Sequence, residues 1–199
     1  MTDNLPSRGS RGADRTASIM RATLDLAQEV GYAKLSVEGI AARAGVGKHT
    51  IYRRWPSKGA VFLDALLSSL DHDLNFPYTG DIVADLREQM TNAVALLASP
   101  PFGRLYAALV GEAQHDPAVA ATLYERFVKP QIDKAIARLK TAQDEGQLSL
   151  DLDLRMALAI LYGAYYHNLL LLPDAVSVKD VDAVIDTLFK IGFGPPQGA

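Results

Sequence analysis

The sequence predicts an all-α protein of about nine helices, and two observations carry that reading. Apolar residues recur at helical spacing along most of the chain, and no convincing period-two run interrupts them. Clusters of glycine, proline and small polar residues at 75–80 (NFPYTG), 99–103 (SPPFG), 116–117 (DP), 145–153 (EGQLSLDLD) and 173–177 (PDAVS) cut those runs into helix-length pieces. At 199 residues and 49% hydrophobic, the chain can bury a core in one or two domains. It has no cysteine, which excludes disulfides, thiolate zinc sites and a cysteine nucleophile.

Taken in order, residues 1–14 are rich in Gly, Ser and Arg and are expected to form a flexible basic arm. Ile19, Met20, Thr23, Leu24, Ala27 and Val30 share one broad face of a first helix, which Gly31 ends. Ser36 is the expected N-cap of a second helix, Val37 to Ala44, with Glu38 in the first turn where the helix dipole favours an acid. Gly45 stops it. A third short helix is expected from about Lys48 to Arg54, where Pro56 opposes continuation. Ser57 caps a fourth, carrying Val61, Phe62, Leu66 and Leu70. Further helices are expected at about 81–98, 102–115, 118–144, 153–172 and 178–191, the third of these kinked or divided near Lys129 by Pro130. Residues 195–199 read as a frayed tail.

The charge is unevenly divided. Residues 1–58 hold ten Lys/Arg against five Asp/Glu, a net of +5, whereas 59–199 hold ten against eighteen, a net of -8, within a total of -3. A basic head on an acidic body suggests a polyanion partner for the head alone. Two short helices joined by Gly45-Val46 match a helix-turn-helix, whose second helix enters the DNA major groove. Ile40, Ala41, Val46 and Ile51 supply the small apolar centre, which leaves Lys48, His49, Thr50, Tyr52, Arg53 and Arg54 largely outward. Lys48, His49 and Thr50 are near enough to the helix start to reach base edges, while Tyr52 and the arginines can hold phosphates.

From Arg21 to Leu66 the sequence resembles the DNA-binding domain of the tetracycline-repressor (TetR) family. The features that carry the resemblance are Gly31-Tyr32, Ser36 with Ile40-Ala41, Ala44-Gly45-Val46, Tyr52 and Trp55-Pro56-Ser57-Lys58. The resemblance implies base contacts from Lys48, His49 and Thr50, phosphate contacts from Tyr52 and Lys58, and a cap at Ser36 that also touches the DNA backbone. Trp55 stands where phenylalanine is commoner and is expected in the core; Arg53-Arg54 makes the stretch more basic than in many members. Arg8, Arg11 and Arg15 are equally compatible with a DNA-contacting arm and with no role. Residues 127–130 (FVKP), 145–148 (EGQL) and 162–171 (YGAYYHNLLL) are similar to one regulatory-domain group of the same family, with His167 where a basic residue often stands. The resemblance thus implies a helix-turn-helix domain over 15–60 and an effector-binding and dimerisation domain over 61–194.

The helix expected at 153–172 is apolar nearly all round and must be covered on both sides. With the stripe of the final helix it resembles the family's dimerisation pair, which implies a homodimer interface through Ala157, Ile160, Gly163, Ala164, Val181, Val184, Ile185 and Leu188. Phe102, Tyr106, Tyr124, Phe127, Tyr162 and Tyr166 are candidates for lining an effector pocket that is apolar with a few hydroxyl groups. The four histidines are too dispersed to suggest a metal site, and no cofactor is implied. The N-terminus has no apolar stretch of the secretory kind, so a cytoplasmic protein is expected. The reading is a ligand-responsive transcriptional regulator and not an enzyme, most often a repressor, bound as a homodimer to an inverted-repeat operator and released by an apolar or aromatic small molecule. The alternatives are an enzyme using acid and base residues of the helical body, which no phosphate loop, GxGxxG or nucleophile elbow supports, and a non-specific nucleoid-type protein.

Overall fold

The computed structural model describes residues 8–70, 74–172 and 177–194, and every regular element among them is helical. In chain order these are α1 (Arg8–Val30), α2 (Val37–Ala44), α3 (Lys48–Tyr52), α4 (Lys58–Ser68), α5 (Ile82–Ala98), α6 (Phe102–Ala113), α7 (Pro117–Leu123), α8 (Lys129–Asp144), α9 (Leu154–Leu171) and α10 (Val181–Leu188). A π turn, Tyr124–Val128, keeps the backbone helical between α7 and α8, so the described residues form nine continuous helices. The Lys129 N–H donates to the Tyr124 carbonyl, and Pro130 lies in the first turn of α8. The wide turn thus takes up the kink expected from a proline with no N–H to donate. No single described helix is long and apolar enough to cross a membrane.

The chain packs as two units. The first comprises residues 1–70 with 104–122, and the second 71–103 with 123–199. In the first, α1 packs on α2 and α4, and Ile19, Ile40, Ile51, Trp55, Phe62 and Leu66 are buried. Local signals set the boundaries. The Ser36 hydroxyl accepts from the Gly39 N–H and the Ser57 hydroxyl from the Ala60 N–H, both at 3.1 Å. Gly31 and Gly45 adopt φ of 78° and 64°, a region closed to most side chains. Arg43 donates to both carboxylate oxygens of Glu29 at 2.6 and 2.5 Å, tying α2 to α1. Trp55 Nε1 donates to Asp64 at 2.5 Å, which joins the end of α3 to α4.

The second unit is centred on Leu86, Met90, Leu139, Leu161, Tyr165 and Ile185, contributed by α5, α8, α9 and α10. Within it lies a buried ion pair. Arg138 donates from Nε to Asp85 Oδ2 at 2.7 Å, while Oδ1 accepts from the Thr79 hydroxyl at 2.6 Å and the Thr79 N–H at 3.0 Å. Burial pushes the Asp85 carboxyl up, but the hydrogen bonds from Thr79 and Arg138 outweigh it and leave its pKa lowered. The Arg138 guanidinium stacks 5.1 Å from the Tyr78 ring centre, and the Tyr78 hydroxyl donates to Glu145. Gln147 completes the clamp, accepting from the Ile82 N–H at 2.7 Å and donating to the Gly80 carbonyl at 3.0 Å.

The boundaries depart from the sequence in three places. Helix α1 begins at Arg8, so 8–14 is helical where a flexible arm was expected; the Thr16 hydroxyl donates to the Gly12 carbonyl within it. Residues 1–7 and the tail 195–199 lie outside the described residues. Helix α3 ends at Tyr52, and Arg53 and Arg54 form the turn before Pro56. The last segment is a 3-10 turn Val178–Asp180, then α10, then a π turn Phe189–Phe193.

Removing one partner of the buried pair should be far worse than removing both. Arg138→Met leaves Asp85 charged in an apolar site and should cost about 3–5 kcal/mol in urea unfolding, much of it recovered by adding Asp85→Leu. Because the folded pKa of Asp85 is depressed, its contribution is complete above the unfolded value of about 3.9 and is lost as pH falls below it. Acid titration of stability should therefore flatten in the double variant.

Candidate functional site

The first candidate is the outward face of α3. Gly47 starts this helix with no side-chain cap, and Ile51 is fully buried beneath it. Lys48, His49, Tyr52, Arg53 and Arg54 are exposed and Thr50 is half-buried, so one surface carries cationic, imidazole and hydroxyl groups together. Lys48 Nζ is 3.4 Å from Glu38 Oε1, with both side chains largely in solvent, so the pair is weak and separable. The His49 ring folds back over Gly47, where a Cβ would come within 2.8 Å of it. Ser36 is exposed beside Glu38 at the start of α2. Arg54 lies 5.8 Å from the Trp55 ring centre.

Helix α1 adds to this surface. A polar groove of about 420 Å³ is lined by Arg15, Thr16, Thr50, Arg53 and Arg54 among others, so an arginine of α1 joins the two that follow α3. The sequence left the role of Arg15 open; the side chains of Arg8 and Arg11 lie outside the described set. Lys58 is only half-exposed. Its Nζ donates to the Tyr32 carbonyl at 3.4 Å and lies 4.4 Å from the Tyr32 ring centre. The Tyr32 hydroxyl is buried, and burial, then the charges of Glu112 and Asp116, push its pKa up to about 12. Beside it a Cβ on Gly59 would sit 2.8 Å from Val119 Cγ2, so the start of α4 and α7 touch through a bare backbone.

The second candidate is a cavity of about 400 Å³ wholly within the second unit, among α5, α8 and α9. Phe127, Tyr162 and Tyr166 line it. Of the other aromatic residues expected there, Phe102 and Tyr106 are buried but do not line it, and Tyr124 is 44% exposed. For Tyr124 the reason is rotational: it shares one π turn with Phe127, and only Phe127 is on its inward side; Phe102 and Tyr106 lie on α6 instead. The Tyr162 hydroxyl donates to Gln89 Oε1, and burial raises its pKa. Gln131 Oε1 is buried with no hydrogen-bond partner. Gln89, Gln131 and Arg155, all on the cavity wall, escaped the sequence reading. The position of Gln89 beside Leu86 and Met90 on the inner face of α5 was the available signal.

The expected dimer residues divide. Ala157, Val181, Ile185 and Leu188 are buried in the core of their own unit, because the stripe of α10 packs on α5 and α9; Val184 is partly buried against the same core. They are not available to a second subunit. Ile160, Gly163 and Ala164 are exposed, and they share the opposite face of α9 with Met156 and Leu171, which are 59% and 70% exposed.

Comparison with known proteins gives a consistent pattern. Residues 19–65 match the bacterial regulatory proteins of the tetR family, and 76–188 match a tetracyclin repressor-like C-terminal domain. An uncharacterized HTH-type transcriptional regulator, YdeS of Bacillus subtilis, is 33% identical over 173 residues, 87% of each chain. The DNA-binding transcriptional repressor TetR of Mycobacteroides abscessus is 28% identical over 194 residues, 92% of this chain and 98% of its own. The crystal structure of the TetR family transcription regulator SCO0332 has a TM-score of 0.73 at 33% identity, covering 89% of this chain and 97% of that one.

Proposed function

The chain belongs to the TetR family of DNA-binding transcriptional regulators, and from that premise we propose that it is a ligand-released repressor, bound as a homodimer to an inverted-repeat operator. The observation that carries the DNA half is the clustering of Lys48, His49, Thr50, Tyr52, Arg53 and Arg54 on one surface at a helix-turn-helix, with Arg15 beside it. Lys48, His49 and Thr50 read base edges. Tyr52, Lys58, Arg53, Arg54 and Arg15 hold phosphates, and Ser36 approaches the backbone from α2. The weak Glu38 pair keeps Lys48 oriented and gives it up to a base.

The homodimer uses the exposed apolar face of α9 at Met156, Ile160, Gly163, Ala164 and Leu171, since an apolar face of that length favours a partner over water. The partner's recognition helix then falls in the next major groove, about 34–36 Å away. The effector occupies the cavity of the second unit. Phe127 and Gln131 line that cavity, and the backbone stays helical from there back to Val119, which touches Gly59 at the start of α4. A ligand that changes the course of this one helix therefore acts on the contact that supports the DNA-binding surface.

Outcomes are expected for DNA reading, for the dimer and for the effector. Lys48→Ala and Thr50→Ala should change the sequence selected from a random DNA pool and lose roughly 1–3 kcal/mol per good base contact. Tyr52→Phe and Arg53→Ala should weaken all sequences alike, with the arginine variant reducing the salt slope by about 1; an unchanged selected motif for Lys48→Ala would sink the base-reading assignment. For the dimer, Ala164→Glu should give a monomer in sedimentation with its helicity intact. Leu188→Asp should instead cost several kcal/mol of folding stability, as a carboxylate buried without a partner. An effector should weaken operator binding by ~5–150-fold, and operator should weaken effector binding by the same factor.

A further inference from the structure

The cavity just assigned to the effector also constrains what the effector is, so this inference rests on that assignment. Its walls are almost wholly apolar, and its few polar groups are arranged unequally. In the interior they are uncharged carboxamides and tyrosines: Gln131 Oε1 is buried without a donor, Gln89 Oε1 accepts from Tyr162, and Tyr166 lines the same wall. A negative group placed there would lose its hydration and meet no cation, because Arg155 at the rim is the one charged side chain among the described residues lining the cavity.

The rim is the opposite. Arg155 is the only charged side chain among the lining residues, and it is exposed to solvent. Its location is unfavourable for α9 itself, because it puts a cation in the first turn, at the positive end of the helix dipole. The acid nearest in sequence, Asp153, does not pair with the Arg155 guanidinium. Asp153, the N-cap, directs Oδ1 to the Arg155 and Met156 N–H groups at 2.9 and 3.1 Å. The Arg155 guanidinium has no hydrogen bond or ion pair among the described residues. The N–H groups at the start of α9 are already taken by Asp153, so it is the unpaired guanidinium at the edge of an apolar cavity that makes the rim favour an oxyanion.

We propose that the effector is an amphiphile with an apolar body and an oxyanion head, the body filling the cavity and the head paired with Arg155 at its rim. Carboxylates and phosphate monoesters share this head chemistry, and guanidinium binds either through two parallel hydrogen bonds. Neutral and cationic amphiphiles of the same length fill the cavity without gaining that pair.

The test is calorimetric titration of the full chain with dodecanoate, dodecyl phosphate, dodecanol and dodecylamine, each below its micelle concentration. At least one of the two anions should bind about tenfold more tightly than dodecanol, the increment of a charge-assisted hydrogen bond, and dodecylamine should bind most weakly. The ratio of the two anions identifies the head. Arg155→Gln should bring the anions to the level of dodecanol and leave dodecanol itself unchanged, whereas Ala93→Trp, which fills the cavity, should abolish all binding. Equal affinity for dodecanol and both anions, or equal losses for all of them in Arg155→Gln, would overturn the oxyanion proposal while the cavity kept its effector role. Binding that survives Ala93→Trp would overturn the cavity assignment too.

Discussion

The second unit depends on one interaction between groups that water would otherwise claim, the pair between Asp85 and Arg138. Asp85 is fully buried and Arg138 nearly so, and neither could remain charged there alone. The pair holds because both carboxylate oxygens are used, one by the guanidinium and the other by the hydroxyl and N–H of Thr79. One contact therefore fixes three things together: the loop before α5, the first turns of α5, and the middle of α8. Two of the three helices that wall the cavity are held at a set separation by it, and Glu145 and Gln147 brace the same loop from the far end of α8.

The first unit is organised by backbone conformation more than by charge. Gly31 and Gly45 supply positive φ at the ends of α1 and α2, and the chain reverses there without strain. Two serine caps then define where α2 and α4 begin. With Ile51 buried below and Trp55 tied to Asp64, α3 needs only five residues to hold its outward side chains in one orientation.

Those local devices are why the head was so legible in the sequence. A cap, a glycine and a short apolar repeat act over a few residues, and the boundaries of α2 came out as expected from Ser36 and Gly45 alone. The second unit was legible as helices but not as faces. Periodicity marks Val181, Ile185 and Leu188 as one stripe, yet it cannot say whether the same chain or a second one covers it, and here the same chain does. Helix α9 posed the harder case, with apolar residues on both sides. Ala157, Leu158, Leu161 and Tyr165 face inward while Met156, Ile160 and Ala164 face out. Asp85 and Arg138 went unnoticed because charged residues far apart in sequence resemble ordinary surface, and their meeting is decided only by how α5 and α8 pack. Of the cavity wall, Phe127, Tyr162 and Tyr166 carry an aromatic signal in the sequence, whereas Gln89, Gln131 and Arg155 look like ordinary surface positions until α5, α8 and α9 pack.

The bare approach of Gly59 to Val119 bears on how interchangeable regulators of this architecture are. The first unit is not a contiguous stretch of chain, since residues 104–122 pack with 1–70. A hybrid joined after Leu70 would inherit the recognition surface but exchange Val119 for whatever the new body carries at that point. With no side chain at 59, the junction accepts only a neighbour shaped to an exposed backbone. Positions 59 and 119 therefore belong together, and a first unit that keeps one while exchanging the other loses the fit between α4 and α7.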